Sequence, residues 1–465
     1  MMHSEISIGL CGHAKHGKST LAGRLLVELG GVRVEALSNI EATAEQEIPN
    51  FGKFAADFNK YSLLFLLSRP HTFSRPGVHD DPSRSVFPVR GSALIGTRRI
   101  TVIDTPGVSR FLDNIIYGVY LSDACLMVVE ASDGVSSGTL TAAKILAAFE
   151  IPVIGVCITK MDIVDYKRER FEAAAESVRT RLCAAFGFGD VPVIPVAALE
   201  GTGVVQGAGR CEWYRGPTVT DVIKGATVRG ASAKSLPARF VVEGRHEVFS
   251  PDGIGTVLVG ALETGELAVG DVLVIEPAST AESREITCTV RSLGWARGVG
   301  ETKPALEKGI AARAIISVAL RSDLGHQEAR YHFRHGGVLG PREEPPRTAR
   351  RIAARVLFFD SDAVYAGKRF LLRGNPAQAE CSITQISDRD KLIDLANLEF
   401  GVQAGEEVDG ILELDRPICI EEAAEFGRLT RFVLRGGNQI VACGRCTGIM
   451  DSAAAATTSI ERGGR

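Results

Sequence analysis

Nine residues near the start of the chain, GHAKHGKST, have the types and spacing of a phosphate-binding loop. They fit the pattern G-x-x-x-x-G-K-[ST] through Gly12, Gly17, Lys18 and Ser19. In such a loop the backbone N–H groups and the positive end of the following helix face phosphate oxygens, and the lysine reaches the β- and γ-phosphates. The predicted phosphate-binding residues are Gly12, His13, Ala14, Lys15, His16, Gly17, Lys18, Ser19, Thr20 and, further along the chain, Gly107.

The segment DTPG, from Asp104 to Gly107, supplies the next candidate residues. It follows an apolar run, and a carboxylate at the end of a strand can orient a water molecule on Mg²⁺. The Ser19 hydroxyl can bind the same ion. The N–H of Gly107 can approach a γ-phosphate, which would make the chain after it sensitive to hydrolysis. Ser19 and Asp104 are thus predicted metal ligands.

Two further segments, TKMD and AAL, predict a site for guanine. The carboxylate of Asp162 can accept hydrogen bonds from both N–H groups on the edge of guanine, and the stem of Lys160 can lie along the base. Each charge-assisted hydrogen bond contributes roughly 1.5–3 kcal/mol, so adenine should bind more weakly by two or more powers of ten. The predicted guanine-binding residues are Thr159, Lys160, Asp162 and, through backbone N–H groups, Ala197, Ala198 and Leu199.

Each of these motifs lies at an end of a short apolar run that reads as a strand. The runs near them are Arg99–Ile103, Ala124–Val129, Val153–Ile158 and Val191–Val196, and helical patterns cover Ser19–Leu29, Leu140–Phe149 and Lys167–Ala185. The alternation predicts an α/β P-loop domain over residues 1–235, doubly wound around a mostly parallel sheet. An insertion at residues 40–96 interrupts it. We interpret residues 71–90 as a mobile functional loop, with an ordered insertion that plays no part in nucleotide sensing as the alternative.

The second half of the chain has a different texture, with Val- and Thr-rich runs punctuated by glycine. Alternating side chains between turns at Gly265 and Gly270-Asp271 predict the hairpins of an antiparallel barrel. We expect two such β-barrel domains, at residues 236–340 and 347–450, followed by a disordered tail at 451–465.

Composition excludes several classes of protein. The 465 residues are 45% hydrophobic and 23% charged with a net charge of -3, which argues against a chain that binds polyanions over its whole surface. The start of the chain lacks a basic segment followed by an apolar one, and no apolar run approaches about 18 residues, so we expect a cytoplasmic protein without a membrane partner. The close pair Cys443 and Cys446 lacks a second pair at zinc spacing, which favours a strand and the turn after it over a metal site.

The four motifs, in this order, resemble those of the translational GTPases, in particular the elongation factor Tu and elongation factor 1-alpha family. GHAKHGKST is similar to that family's G-H-V-D-[HS]-G-K-[ST]-T, and DTPGVSRFLDNII to its D-x-P-G-H-x-x-[FY]-x-x-N-M. The similarity continues through GIGTVLVGALETGELAVGDVL and PICIEEAAEFGRLTRFVLRGGNQIVACGRC, and so spans about Ile6 to Met450. The resemblance implies a G domain followed by two β-barrels, GTP or GDP with Mg²⁺ as ligands, and delivery of an aminoacyl-tRNA or a related RNA to a ribosome.

The sequence departs from the family where catalysis takes place. Val108 stands where the family has a histidine that positions the attacking water, and valine neither donates nor accepts a hydrogen bond. We therefore predict slow GTP hydrolysis and name no certain catalytic residue. Lys15 replaces an aspartate of the phosphate loop. Its ammonium either takes the place of a bound cation and strengthens GTP binding, or faces solvent.

Three further departures concern ligands. Nothing in residues 71–90 reproduces the family's R-G-I-T, and by its distance from Asp104 the best substitute for its metal-binding threonine is Ser85. Thr159 replaces an asparagine and Ala197 a serine, which predicts lost side-chain hydrogen bonds while Asp162 remains. Binding should survive these changes better than turnover does.

Three functions remain open on the sequence. The first is a GTPase that carries aminoacyl-tRNA or a similar partner. The second is a nucleotide-gated module with negligible hydrolysis that holds a protein partner, and the third is a GTPase subunit coupled to a metabolic enzyme, as in sulfate activation. The span 321–351 has seven Arg and three His against four acids, interleaved with Tyr331 and Phe333. It fits either an RNA contact with stacking aromatics or a solvated connector.

Overall fold

The chain forms two compact units, and a computed structural model describes most of each. The described residues are 5–30, 89–95, 98–107, 112–205, 207, 209–226, 236–250, 253–277, 286–295, 314–321, 333, 337–359, 362–365, 368–374, 378–388, 391–395, 399–422, 424–437 and 439–450. Residues 5–226 belong to the first unit, and residues 236–295 and 315–450 to the second. The predictions for Ser85, Val108, Tyr331 and the tail at 451–465 lie outside the described residues.

The first unit is built around a six-stranded sheet with the strand order β2-β3-β1-β4-β5-β6. Its strands are β1 (Glu5–Cys11), β2 (Val89–Ile95), β3 (Arg98–Asp104), β4 (Ala124–Glu130), β5 (Val153–Thr159) and β6 (Val193–Pro195). Its helices are α1 (Lys18–Glu28), α2 (Leu112–Tyr120), α3 (Ser137–Ala148), α4 (Arg168–Val178), α5 (Ala184–Phe186) and α6 (Val219–Gly225), with a π-helical turn (Arg179–Cys183) joining α4 to α5. All pairs are parallel except β2 with β3, which confirms the predicted doubly wound, mostly parallel domain.

The core of this unit explains why its strands read as unbroken apolar runs. Ile8 and Leu10 of β1 and Leu126 of β4 are fully buried, and they pack in one cluster with Leu21 and Leu25 of α1. Strands covered on both faces need apolar side chains on both, so alternation disappears from the sequence. The helix that follows the phosphate loop is thereby anchored to the sheet by its apolar side.

The strand β2 corrects the interpretation of the insertion. The sequence places a mobile loop up to residue 90 and the insertion up to residue 96, yet Val89–Ile95 pairs antiparallel with β3, from Val89 opposite Asp104 to Ile95 opposite Arg98. Ala93 and Ile95 are buried. These two buried residues alternate along the edge strand. An alternation of two residues is too short to distinguish a strand from the polar stretch that precedes it in the sequence.

The second unit contains two antiparallel barrels. The first is closed in the order β10-β11-β8-β7-β12-β9. Its strands are β7 (Arg239–Ser250), β8 (Gly253–Thr264), β9 (Val272–Glu276), β10 (Thr287–Trp295), β11 (Ala314–Arg321) and β12 (Val338–Pro341). Strands β7 and β8 form a hairpin. Gly265 and Gly270 have φ of 70° and 98° and lie in the β8–β9 connection, as expected of turn residues. Strands β8 and β9 are nevertheless not neighbours in the barrel, so the hairpin predicted there is wrong.

The other barrel is built from the order β15-β20-β21-β13-β19-β16-β17, and the additional pairing of β15 with β16 closes six of these strands into a ring. The strands of this region are β13 (Thr348–Phe358), β14 (Asp362–Tyr365), β15 (Arg369–Gly374), β16 (Gln378–Asp388), β17 (Lys391–Asp394), β18 (Glu399–Val402), β19 (Glu407–Cys419), β20 (Arg431–Gly436) and β21 (Gln439–Ile449). Strands β14 and β18 pair separately. A 3₁₀ segment, Ala424–Thr430, precedes β20. The limits 236–340 and 347–450 of two separate domains stay a prediction.

Two ion pairs connect the barrels of this second unit. The Nε of Arg239 donates to Glu421 Oε1 at 2.8 Å, with 3% and 4% of the two side chains exposed. Arg428 donates to both carboxylate oxygens of Glu263, at 3.1 and 3.2 Å. Burial raises the pKa of Glu421, and Arg239 opposes that shift. Charges removed from water are tolerated because each finds its opposite and further hydrogen bonds, here from Arg239 to the carbonyl of Glu344 at 2.9 Å.

Two sequence interpretations in this half meet the structure directly. Phe333 is 1% exposed, so the suggestion that it stacks on RNA bases is wrong. Cys443 and Cys446 both lie inside β21 rather than in a strand and its following turn, and burial raises the pKa of the Cys446 thiol to about 12. In the part of the chain that the structure describes, every helix is too short or too polar to span a lipid bilayer.

Candidate functional site

The loop between β1 and α1 has a backbone that only particular residues accept. Gly12 has a φ of 146°, and a Cβ on it would lie 2.2 Å from the carbonyl oxygen of Val128. Gly17 has a φ of 88° and caps the start of α1. Lys15 adopts a φ of 65°, a left-handed conformation that is uncommon for a lysine. The loop therefore packs closely against the end of β4 and has the left-handed backbone positions that favour glycine at its two motif glycines.

Lys18 opens α1 and lies almost entirely inside the loop. Its side chain is 5% exposed, and its Nζ donates to the carbonyl of His13 at 2.6 Å. Burial lowers the pKa of this ammonium, and Asp104 acts in the opposite direction. A Cβ on Gly107 would meet Lys18 Nζ at 2.4 Å and the N of Ala14 at 2.5 Å. The DTPG segment thus lies directly against the phosphate loop, and the approach of the Gly107 N–H to a γ-phosphate stays a prediction.

Ser19 and Asp104 meet at the end of β3. The Ser19 hydroxyl donates to Asp104 Oδ2 at 2.5 Å. The neighbouring Thr105 donates from its hydroxyl to the carbonyl of Leu10 at 2.6 Å, which fixes the segment to β1. A hydroxyl and a carboxylate are hard oxygen ligands of the kind Mg²⁺ prefers. The two side chains therefore fit the magnesium ligands predicted from the sequence.

The loop histidine His16 is buried and hydrogen-bonded within the protein. It is 2% exposed, its Nδ1 accepts from the N–H of Glu130 at 3.3 Å, and its Nε2 lies 2.9 Å from Asp133 Oδ2. This pattern places the proton on Nε2. Burial lowers the pKa of His16, and this effect is larger than that of the hydrogen bond to Asp133, which raises the pKa. A neutral imidazole thus holds the back of the loop against the end of β4.

The end of β5 is fastened to the phosphate loop by Thr159. Its hydroxyl lies 2.6 Å from the carbonyl of His16 and 3.2 Å from that of Val129. Thr159 therefore keeps side-chain hydrogen bonds of its own, while the predicted loss of the bonds that the family's asparagine makes stays a prediction. A threonine buried at a strand end reaches the loop because the two segments are adjacent in space.

Lys160 and Asp162 follow in a turn of irregular backbone. Lys160 has a φ of 58°, and its Nζ lies 2.7 Å from Glu130 Oε2. Burial alone would raise the pKa of Glu130, but hydrogen bonds from Lys160 and Ser132 outweigh it and lower that pKa. The ion pair holds the aliphatic stem of Lys160 in one place. Asp162 is half-buried, so its carboxylate remains accessible.

The AAL segment forms a tight turn after β6. Ala197 donates to the carbonyl of Thr202 at 3.1 Å, and its own carbonyl accepts from Glu200 and Gly201. Within the described part of the chain, the N–H groups of Ala198 and Leu199 donate to no acceptor. Ala198 is 8% and Leu199 41% exposed. The turn can therefore offer two backbone donors to a ligand oxygen.

The predicted site residues that the structure describes lie at one edge of the sheet, because the parallel strands β1, β3, β5 and β6 all end there. Ligands of open α/β sheets bind at this carboxyl edge. Sequence reasoning missed the residues that support the site, namely Arg24, Glu130, Asp133, Tyr166 and Glu200. Their partners are distant in sequence, so no local pattern marks them.

A phosphate loop, an acid at the end of β3 and a TKMD segment at the end of β5 define a P-loop protein of the GTPase class. Residues 3–227 match the family model of the elongation factor Tu GTP binding domain, and residues 351–447 match that of the GTP-eEF1A C-terminal domain-like family. By these two matches, residues 3–227 and 351–447 are domains of the translational GTPase type.

Similar proteins agree along nearly the whole length. The elongation factors 1-alpha of Pyrococcus woesei and Thermococcus onnurineus are 29% identical over 448 residues, which is 94% of this chain and 96% of each relative. The solved GTPase-like domain of S. cerevisiae Ski7, bound to GTP, matches 96% of this chain and 97% of its own at a TM-score of 0.63 and 16% identity. The structure of elongation factor SelB from Methanococcus maripaludis matches 97% of this chain and 80% of its own, at a TM-score of 0.55 and 17% identity. These structures confirm the fold.

Proposed function

We propose that this chain binds GTP and GDP with Mg²⁺ in the cytoplasm, hydrolyses GTP slowly, and in its GTP state carries an aminoacyl-tRNA or a related RNA to the ribosome. The observation that carries the proposal is the meeting of Lys18, the Ser19–Asp104 pair and Asp162 at one edge of the sheet. The similarity to elongation factors over 94% of the chain supports the translational role over coupling to sulfate activation.

The phosphates would lie on the loop of residues 12–20. Its backbone N–H groups and the start of α1 supply positive potential, and Lys18 Nζ and Gly107 lie side by side at the loop, so that both can face a γ-phosphate. The Ser19 hydroxyl and the Asp104 carboxylate would hold Mg²⁺, which neutralises phosphate charge when bound. Ser85 remains a predicted third ligand.

The base would lie between the TKMD and AAL segments. Asp162 accepts from the two N–H groups on the edge of guanine, Lys160 covers the ring with its stem, and Ala198 and Leu199 donate to the guanine oxygen. Hydrolysis needs a water in line with the γ-phosphate. Because Val108 cannot orient one, the GTP state should be long-lived.

A direct test is calorimetric titration of the whole protein with nucleotides in magnesium buffer. We expect GDP and GTP to bind at least about 100-fold more tightly than ADP and ATP. Equal affinity for the adenine nucleotides would remove the role given to Asp162. Protein loaded with GTP or with GDP is then used to capture partners from a lysate. Enrichment of tRNA on the GTP form alone supports delivery of RNA, and a single protein without RNA contradicts it.

The second candidate, a nucleotide-gated module that holds a protein partner, draws support from the burial of Phe333. A side chain that is 1% exposed cannot contribute the base stacking that made the span 321–351 attractive for RNA. One described arginine of that span also pairs within the chain, since Arg347 Nη1 lies 2.7 Å from Glu422 Oε1. The capture experiment above separates the two candidates.

The Thr159 hydrogen bond gives a prediction at the site itself. A Thr159→Val variant keeps the shape of the side chain but leaves the His16 carbonyl without its hydroxyl donor, so the phosphate loop loses its tie to β5. We expect the affinity for GDP to fall about fivefold, as for the loss of one buried hydrogen bond of about 1 kcal/mol. Titration calorimetry measures it. Thr159→Ser retains the hydroxyl and should bind GDP as the unaltered protein does; equal affinity of the valine variant would refute the tie.

A further inference from the structure

The two segments of the proposed guanine site are joined by a hydrogen bond between side chains far apart in sequence. Tyr166, four residues after Asp162, donates from its hydroxyl to Glu200 Oε2 at 2.5 Å. Glu200 directly follows Leu199. The strand ends beneath are already tied by the N–H of Met161, which donates to the carbonyl of Val196 at 3.2 Å. The tyrosine adds a second tie at the tips of the two segments.

Tyr166 is held in an unusual conformation. It has a φ of 56° and the preceding Asp165 a φ of 52°, which is costly for residues other than glycine. The conformation is fixed by the Tyr166 N–H, which donates to the carbonyl of Met161 at 2.9 Å, and by Trp213 Nε1, which donates to the Tyr166 carbonyl at 3.0 Å. The guanidinium of Arg210 lies 4.9 Å from the centre of the ring.

The hydroxyl of Tyr166 is a permanent donor. The residue is 7% exposed, and burial, followed by the hydrogen bond to Glu200 and the nearby charge of Asp162, raises its pKa. Tyr166 therefore stays protonated and Glu200 accepts. A neutral donor facing a carboxylate makes a strong hydrogen bond of well-defined direction.

Arg24 holds the same turn from the other side. It lies on α1, and its Nη1 and Nη2 donate to the carbonyls of Leu199 and Glu200 at 3.1 and 3.4 Å. Its Nε donates to Glu28 at 2.7 Å, which fixes the direction of the guanidinium. A Cβ on Gly201, whose φ is 84°, would lie 2.3 Å from Arg24 Nη2, so glycine there permits the close approach. The helix that starts at the phosphate loop thus also positions the base-binding turn.

We propose that Tyr166, Glu200 and Arg24 form a clamp that sets guanine selectivity by holding the carboxylate of Asp162 at a fixed distance from the backbone donors of Ala198 and Leu199. The inference rests on the proposed function, because it takes those groups as the base contacts. Guanine is read by both segments at once, so its full set of hydrogen bonds forms only when they keep a constant separation. The three residues are positioning residues that need not touch the nucleotide.

The test compares GDP with IDP, which lacks the 2-amino group that Asp162 recognises. In Tyr166→Phe we expect the affinity for GDP to fall about tenfold and that for IDP by much less, so that the ratio between them drops. Glu200→Gln retains an acceptor for the hydroxyl and should keep most of the ratio. Tyr214→Phe is the matched control, because the Tyr214 hydroxyl donates to the carbonyl of Pro217, outside both segments.

The outcomes are distinct. If the unaltered protein prefers GDP and Tyr166→Phe keeps the same ratio, or loses GDP and IDP affinity equally, the clamp is refuted while the guanine site stands. If the unaltered protein binds GDP and IDP alike, the guanine site itself fails. Thermal unfolding of each variant is measured in parallel. If Tyr166→Phe does not fold, Arg24→Gln is used instead, because it removes the guanidinium that binds the carbonyls of Leu199 and Glu200. For the proposal to hold, this variant must lower the ratio of the affinity for GDP to that for IDP.

Discussion

An Asp162→Asn variant is expected to lose at least about 100-fold in affinity for GDP and to bind XDP more tightly than GDP. The carboxylate accepts two hydrogen bonds from guanine, and charge-assisted bonds of roughly 1.5–3 kcal/mol each account for the loss. Xanthine carries an oxygen where guanine carries the 2-amino group. An asparagine amide can donate to that oxygen while its carbonyl accepts from the ring N–H, so the preference is exchanged rather than only weakened.

Competitive titration of GDP, XDP and ADP against both forms of the protein measures this exchange. Asp165→Asn is a suitable control, because Asp165 is 80% exposed and lies three residues further along the same turn. It removes the same charge and should leave GDP binding within about twofold. If Asp162→Asn bound GDP as the unaltered protein does, or if the control lost affinity equally, recognition of the base by Asp162 would be disproved.

Val108→His should accelerate single-turnover cleavage of GTP by about 100-fold, at the low end of what a positioned acid–base group contributes. The residue before it, Gly107, lies against Lys18 and Ala14 in the phosphate loop, so an imidazole at the next position is close in sequence to where a γ-phosphate would bind. Histidine can orient a water that valine cannot. The affinity for GDP should not change, because GDP lacks the phosphate concerned.

Release of phosphate from preformed protein–GTP complex, at saturating protein, gives this rate without a contribution from nucleotide exchange. Val108→Ala serves as the control, since it removes bulk without adding a hydrogen-bonding group and should cleave GTP as slowly as the unaltered protein. Fast cleavage by the unaltered protein would mean that another group orients the water. An alanine variant as fast as the histidine variant would assign the effect to space rather than to the imidazole.

The sequence marked the residues that we propose to contact a nucleotide, but it did not mark the residues that hold them in place. Lys18, Asp104 and Asp162 lie in short motifs at the ends of apolar runs, and parallel strands bring such ends together, so their meeting followed from the pattern alone. The Tyr166–Glu200 bond joins positions 34 residues apart and has no local signal. The hydrogen bond of Thr159 was missed for the same reason, because it depends on the tertiary approach of β5 to the loop.

In the second half the pattern predicted strands well and connections less well. Glycines at 265 and 270 were rightly taken as turn residues, yet a turn does not determine whether its two flanking strands pair. In a closed barrel the neighbours are decided by which strands complete the ring, and there β9 lies between β10 and β12. Edge strand β2 was missed because its two buried residues carry too little periodicity against the polar stretch that precedes it.

The two buried ion pairs of the second unit have opposite polarity. In one pair the arginine, Arg239, belongs to the first barrel. In the other pair the arginine, Arg428, belongs to the second barrel. Exchanging the two points of contact would set Arg239 against Arg428 and Glu263 against Glu421, and such like-charge encounters cost several kcal/mol. Only one docking orientation satisfies all four charges. The two barrels are therefore expected to move as one body, because separating them would leave four charges without their partners.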